Sequence, residues 1–127
     1  MREAEFAPPR WVRMPKHRKV GPRAKKLWER SILAAQTGER DEPSVYDPGL
    51  TDDEIREMEM NCVQGGGIEL PQRACTLRRF YRAFPRCIGA SEGKKTDYIM
   101  VQYDESGAVH GYPVTMDYLR SRGALIQ

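Results

Sequence analysis

Phosphate contact is the chemistry that the residue types suggest first. Residues 1–30 carry ten Lys and Arg side chains against Glu3, Glu5 and Glu29, a net of +7. The stretch RWVRMPKHRKVGPRAKKLW, residues 10–28, contributes Arg10, Arg13, Lys16, Arg18, Lys19, Arg23, Lys25 and Lys26, together with His17 and Trp11. Cations that neutralise phosphates release condensed counterions, so such a run favours a polyanion and makes the contact salt-dependent. Trp11 and His17 could stack on exposed bases. A second basic group between residues 73 and 95 is interleaved with Phe80, Tyr81 and Phe84, and supplies Arg78, Arg79 and Arg82 as further RNA-contact candidates. The plainer account of either segment alone is a solvated charged surface over a packed apolar stripe.

A different chemistry is available nearer the C-terminus. Lys94, Lys95, Tyr98, His110, Tyr112 and Thr115 are acid/base and anion-stabilising groups of the kind that metal-independent ribonucleases use. His110 would titrate near neutral pH. Nothing in the spacing forces these residues together, so no catalytic residue is assigned and the expectation is a protein that is not an enzyme. VQGGGIEL lacks the Lys-Ser/Thr of a phosphate-binding loop, and a helix rather than a strand is expected before it, which argues against a nucleotide cofactor. Cys62, Cys75 and Cys87 fit no zinc spacing, His17 and His110 are far apart, and no calcium loop is present, so no metal site is expected. Reduced thiols and an intracellular, reducing compartment follow from this cysteine usage, with no signal choosing cytoplasm over an organelle matrix. No run approaches the ~18 apolar residues of a membrane span. No apolar segment of a secretory signal follows the early charges, and four prolines by residue 22 would interrupt an amphipathic targeting helix.

The elements that must position these groups are short. Nine prolines, eleven glycines and 31% charged residues in 127 positions leave material for a modest core only. Charge shifts along the chain: residues 31–60 hold nine acids against Arg40 and Arg56, a net of −7, and the remainder carries +3. Residues 1–21 read as an extended basic arm, since Pro8-Pro9 favours polyproline II and Pro15 removes a helical donor. Pro22 suits the first position of a helix with Ala24, Leu27, Trp28, Ser31, Ile32 and Ala35 on one stripe. A surface loop at about 38–50 follows. Thr51 and Glu54 have the spacing of a capping box, and Leu50 and Ile55 that of a hydrophobic staple. Asp52 and Asp53 in the first turn suit the helix dipole, while Glu57 and Glu59 are expected to face solvent, a basic partner or the arm itself. Ala74, Leu77, Tyr81 and Phe84 suggest another helix over 72–84, ended by Pro85. TDYIMVQYD and AVHGYPV then alternate as two strands around a turn at DESG, and Thr115 caps a final helical turn that Gly123 stops.

The expectation is therefore an α+β protein: an extended basic N-terminal arm (1–21), then a small body (22–127) of two to three short helices, a C-terminal β-hairpin and a terminal helical turn. The leading functional expectation is a non-enzymatic structural subunit of a large RNA–protein assembly, ribosome-like, with the arm on RNA phosphates and the body docked on neighbouring proteins. RNA would be bound without sequence specificity, since no helix-turn-helix, zinc-finger, RRM or KH signature is present. A protein-binding adaptor or inhibitor of the kind phages encode, and a small metal-independent ribonuclease or toxin using His110, are the alternatives.

Overall fold

A computed structural model describes residues 5–13, 29, 44–91 and 94–126. Its centre is the strand Tyr98–Asp104, paired antiparallel on one side with Ala108–Val114 and on the other with Leu77–Ala83. In chain order the strands are β1 (Arg10–Trp11), β2 (Val45–Tyr46), β3 (Ile68–Glu69), β4 (Leu77–Ala83), β5 (Gly89–Ser91), β6 (Lys94–Thr96), β7 (Tyr98–Asp104) and β8 (Ala108–Val114). They form a five-stranded sheet, β1-β8-β7-β4-β3, and a three-stranded sheet, β2-β5-β6. The helices are α1 (Asp52–Asn61), continued by a π turn over Cys62–Gly66, and the short α2 (Met116–Ser121).

This mostly β architecture overturns the expected α+β body of two to three helices with an appended C-terminal hairpin. The two strands expected at 97–114 do pair around their turn, but as the middle of a five-stranded sheet. The helix expected over 72–84 is replaced by β4, whose every residue from Leu77 to Ala83 is in register with β7. The reason is burial on both faces. Phe80 enters the core cluster with Ile55, Ile99 and Val101, whereas adjacent Tyr81 enters the other with Met100, Val114 and Leu119. Neighbouring side chains on a strand point to opposite faces, so a strand covered on both sides loses the alternation that would mark it, and its apolar positions mimic a helical stripe. The expected helix from Pro22 lies outside the described residues except for Glu29.

Helix α1 begins as its sequence dictates. Thr51 Oγ1 accepts from Glu54 N, and Glu54 Oε1 accepts from Thr51 N, each at 3.1 Å. Leu50 and Ile55 are both buried in the first core cluster. At the far end Gly65 takes φ +107, which a side chain would strain, and the chain turns into β3. On the opposite side of the sheet, Thr115 Oγ1 caps α2 by accepting from Tyr118 N. Leu119 and Ala124 then bury against Tyr81 and Met100. The two helices thus cover opposite faces of one sheet. Each wholly buried aliphatic side chain between them, Ile99, Val101, Val109 or Leu119, removes apolar area worth about 1.5–3 kcal/mol.

The smaller sheet includes Val45 and Tyr46 from the expected surface loop. Both are buried and pair with Ala90 and Gly89.

Candidate nucleic-acid interface

Part of the basic N-terminal stretch is held by the sheet. β1 lies parallel to β8, with Arg10 N donating to Gly107 O and Val12 N to Val109 O, both at 2.8 Å. Phe6 packs edge-on against Tyr103, whose hydroxyl donates to Ala7 O. The indole of Trp11 is half-buried and donates Nε1–H to Glu59 Oε1 at 2.9 Å.

Glu59 is the hub of that region: of the expected directions, solvent, a basic partner or the arm itself, it meets the arm, through the Trp11 indole rather than a cation. It is 3% exposed and accepts from three elements: Trp11 of β1, Tyr46 Oη of β2 at 2.6 Å, and Gly111 N of β8 at 2.9 Å. Burial raises its pKa, while the bonds from Tyr46, Trp11 and Gly111 pull it back down. The phenol of Tyr46 is pushed well up, first by burial and then by the carboxylate beside it. Gly111 is needed for this approach, because a Cβ there would lie 3.2 Å from Glu59 Cδ and 2.8 Å from Met100 O. Spacing alone could have found Glu59: it lies four residues after Ile55 and three before Cys62, both on the buried stripe of α1. Cys62, at the end of that stripe, is wholly buried, which raises its thiol to about 12.

The RNA-contact candidates fall into separate groups. Arg10 is exposed at the sheet edge. Arg13 is exposed and 3.4 Å from Asp52 in the first turn of α1. Lys16, His17, Arg18, Lys19, Arg23, Lys25 and Lys26 lie outside the described residues. Arg78 and Arg82 share the α1 face of β4. Arg78 forms a two-point pair with Glu69 at 2.8 and 2.9 Å, which lowers the Glu69 pKa, and its guanidinium lies over Phe6 and Phe80. Arg82 donates to Asn61 Oδ1 and lies over Phe84. A cleft of 430 Å³ beside them takes both signs of charge, with Arg82 and Arg86 facing Glu54 and Glu57. Arg86 is 3.7 Å from Glu54.

Arg79 points the other way. It lines a cleft of 220 Å³ on the α2 face with Arg73, Arg122, Gln102 and Tyr118. Arg73 and Arg122 were not among the sequence candidates, and only Arg73 belongs to a basic cluster that the sequence displays. Arg122 is separated from the others by more than forty residues, and only the packing of α2 on the sheet unites them.

The register also locates the residues of the ribonuclease alternative. Arg79 pairs with Gln102, and Gln102 with His110, so the three form one row across β4, β7 and β8 on the α2 face. Tyr112 is two residues along β8 on that face, and its pKa is raised by burial and then by Tyr118. Lys94 and Lys95 sit exposed on β6 of the other sheet, Thr115 caps α2, and Tyr98 lies at the start of β7, four residues from Gln102. The fold therefore does not gather the whole set. Among the described residues no group of three or more His, Cys, Asp or Glu could hold a metal ion, and no helix is long and apolar enough to cross a membrane. Comparison with protein-family models, curated proteins and solved structures finds no match for this chain.

Proposed function

We propose that the protein is a non-enzymatic RNA-binding subunit of a larger RNA–protein assembly, ribosome-like in kind, which holds phosphates through its basic N-terminal segment. The observation that carries this reading is the anchoring of Arg10 and Trp11 to the sheet. Lys16, His17, Arg18 and Lys19 follow within eight residues of Trp11. A cationic segment tethered to a folded body presents its charges at high effective concentration once any one of them engages the polyanion.

The test uses the full chain with Lys16, Arg18 and Lys19 replaced together by Gln. Deleting residues 1–26 would be the wrong experiment, because it also removes β1 and the Trp11 donor to Glu59. Binding of a single-stranded RNA is followed by fluorescence anisotropy across a salt series. Loss of three phosphate contacts should make the slope of log K against log salt shallower by about 2. An unchanged affinity and slope would remove the arm from the function. Co-purification of one defined protein that survives nuclease treatment, with no RNA affinity, would favour the adaptor instead.

A second reading, RNA cleavage, is favoured by one observation, the row Arg79–Gln102–His110 beside further guanidiniums. Guanidiniums can stabilise charge on a phosphoryl group, and an imidazole can move a proton. In such a step the 2′-oxygen bonds to phosphorus and the phosphorus–5′-oxygen bond breaks. The proton lost by the first oxygen reaches the second by way of His110. Cleavage in the presence of a chelator that disappears in His110→Ala would establish it, and intact RNA after prolonged incubation with the wild-type chain would end it.

A further inference from the structure

Arg73, Arg79 and Arg122 line one cleft, and no carboxylate of a described residue lines it with them. Four other arginines of the described surface have carboxylate partners close by: Arg13 has Asp52, Arg78 has Glu69, Arg86 has Glu54 and Arg120 has Asp117. Here the partners are weaker. Arg79 donates one Nη2–H to Pro71 O at 3.1 Å, a neutral acceptor. The Arg122 guanidinium carbon lies over the Tyr118 ring, 5.0 Å from its centroid. Its Nε is buried and has no hydrogen-bond partner among the described residues. Native proteins satisfy nearly all buried polar atoms, and an orphaned one on a cation asks for an explanation. Like charges gathered without a counter-charge also repel.

We infer that this cleft is a binding site for a phosphate group, seated between the guanidiniums of Arg79 and Arg122 with Arg73 at its rim. The planar fork of Arg matches the oxygens of phosphate in two-point contacts, and Gln102 and Tyr118 add polar groups at the wall. Leu77 and Met100 supply an apolar floor that strengthens the charge contact. At 220 Å³ the cleft lies below the roughly 300 Å³ at which small-molecule pockets begin, a size suited to a phosphate group and its immediate carrier rather than to a whole cofactor. An RNA chain and a free nucleotide both present such a group. The site lies on the opposite face of the sheet from Trp11, so it extends the RNA-binding reading to a second surface, while its phosphate chemistry stands independently of the arm.

The test follows the Arg79 and Arg122 guanidinium N–H signals of the full wild-type chain by NMR during titration with inorganic phosphate, adenosine monophosphate or a short RNA lacking terminal phosphates. Saturable shifts at both arginines are expected with at least one probe, unchanged in the chain carrying Lys16→Gln, Arg18→Gln and Lys19→Gln. Shifts with RNA alone assign the site to the nucleic-acid backbone. Shifts with phosphate or the nucleotide, without RNA affinity, keep the site and end the RNA reading. In Arg79→Gln/Arg122→Gln, checked for native folding by circular dichroism, affinity for the responding probe should fall at least tenfold. If none of the three probes moves either arginine, the inference is overturned, whatever the arm does with RNA.

Discussion

The two faces of the five-stranded sheet handle charge in opposite ways. Under α1 the buried carboxylate of Glu59 accepts from three donors on three strands, none of them a cation. Under α2, Arg73, Arg79 and Arg122 share a cleft with no acid of the described residues. The first arrangement directs its hydrogen-bonding capacity inward and fastens β1, β2 and β8 to the helix. The second gathers like charges and leaves one buried donor, Arg122 Nε, without a partner among the described residues. Buried groups that hold a fold together are satisfied within it, whereas groups left unsatisfied mark a surface kept for something else.

Breaking the closed face should have the largest effect. Glu59→Leu leaves the Trp11 indole, the Tyr46 hydroxyl and the Gly111 amide without their acceptor, and should cost about 3–5 kcal/mol in urea denaturation. Glu59→Gln keeps the volume and one acceptor oxygen and should cost about 1 kcal/mol. If Leu is tolerated as well as Gln, Glu59 is not the fastening.

Gly107→Ala comes next. Gly107 has φ +94 and an added Cβ would meet Pro8 O at 2.5 Å, so either the turn or the N-terminal segment must move. A loss of about 2 kcal/mol is expected, with faster hydrogen exchange at Arg10, whose amide donates to Gly107.

The pH response sharpens the contrast. Because burial raises the Glu59 pKa in the folded chain, the native state binds more protons than the unfolded chain. The Glu59 contribution therefore favours folding at low pH and falls as pH rises from the unfolded value of about 4.3 through the raised folded one. Glu69 and Asp104 have the opposite sign. Their pKa values are lowered, Glu69 chiefly by Arg78 and Asp104 chiefly by Ser106, so their stabilisation is lost as pH falls below the normal carboxylate range. Subtracting the Glu59→Gln stability profile from that of the wild type should isolate the falling component, and a flat difference would contradict it.

The smallest effect belongs to the open face. Arg122→Met removes one of the like charges and the orphaned Nε while keeping the stem's volume. It should leave stability unchanged or raise it by up to about 1 kcal/mol at low salt, with the gain shrinking as salt screens the cluster. A large loss would mean that Arg122 holds the fold together as Glu59 does.

Local chemistry was legible where the causes are local. The Thr51–Glu54 box, the Thr115 cap, and the turn in which Asp104 Oδ1 accepts from Ser106 N at 2.9 Å all follow from residues within a few positions of one another. Burial from two sides hides the strands that need distant partners. Phe80 and Tyr81 are neighbours that serve different cores, so β4 shows no alternation and resembles a helical stripe. Gly89–Ser91 and Lys94–Thr96 are too short to carry a period at all, and become strands by pairing with each other and with β2.

By itself the sequence determined the caps, the turn residues and the uneven charge, because each depends on side-chain type and short spacing. Only tertiary structure decided that Glu59 is buried among Trp11, Tyr46 and Gly111, and that Arg79 and Arg122 share a cleft. Those partners are 13 to 52 residues apart. Their meeting depends on strand register and on which helix covers which face, neither of which any single stretch of this chain encodes.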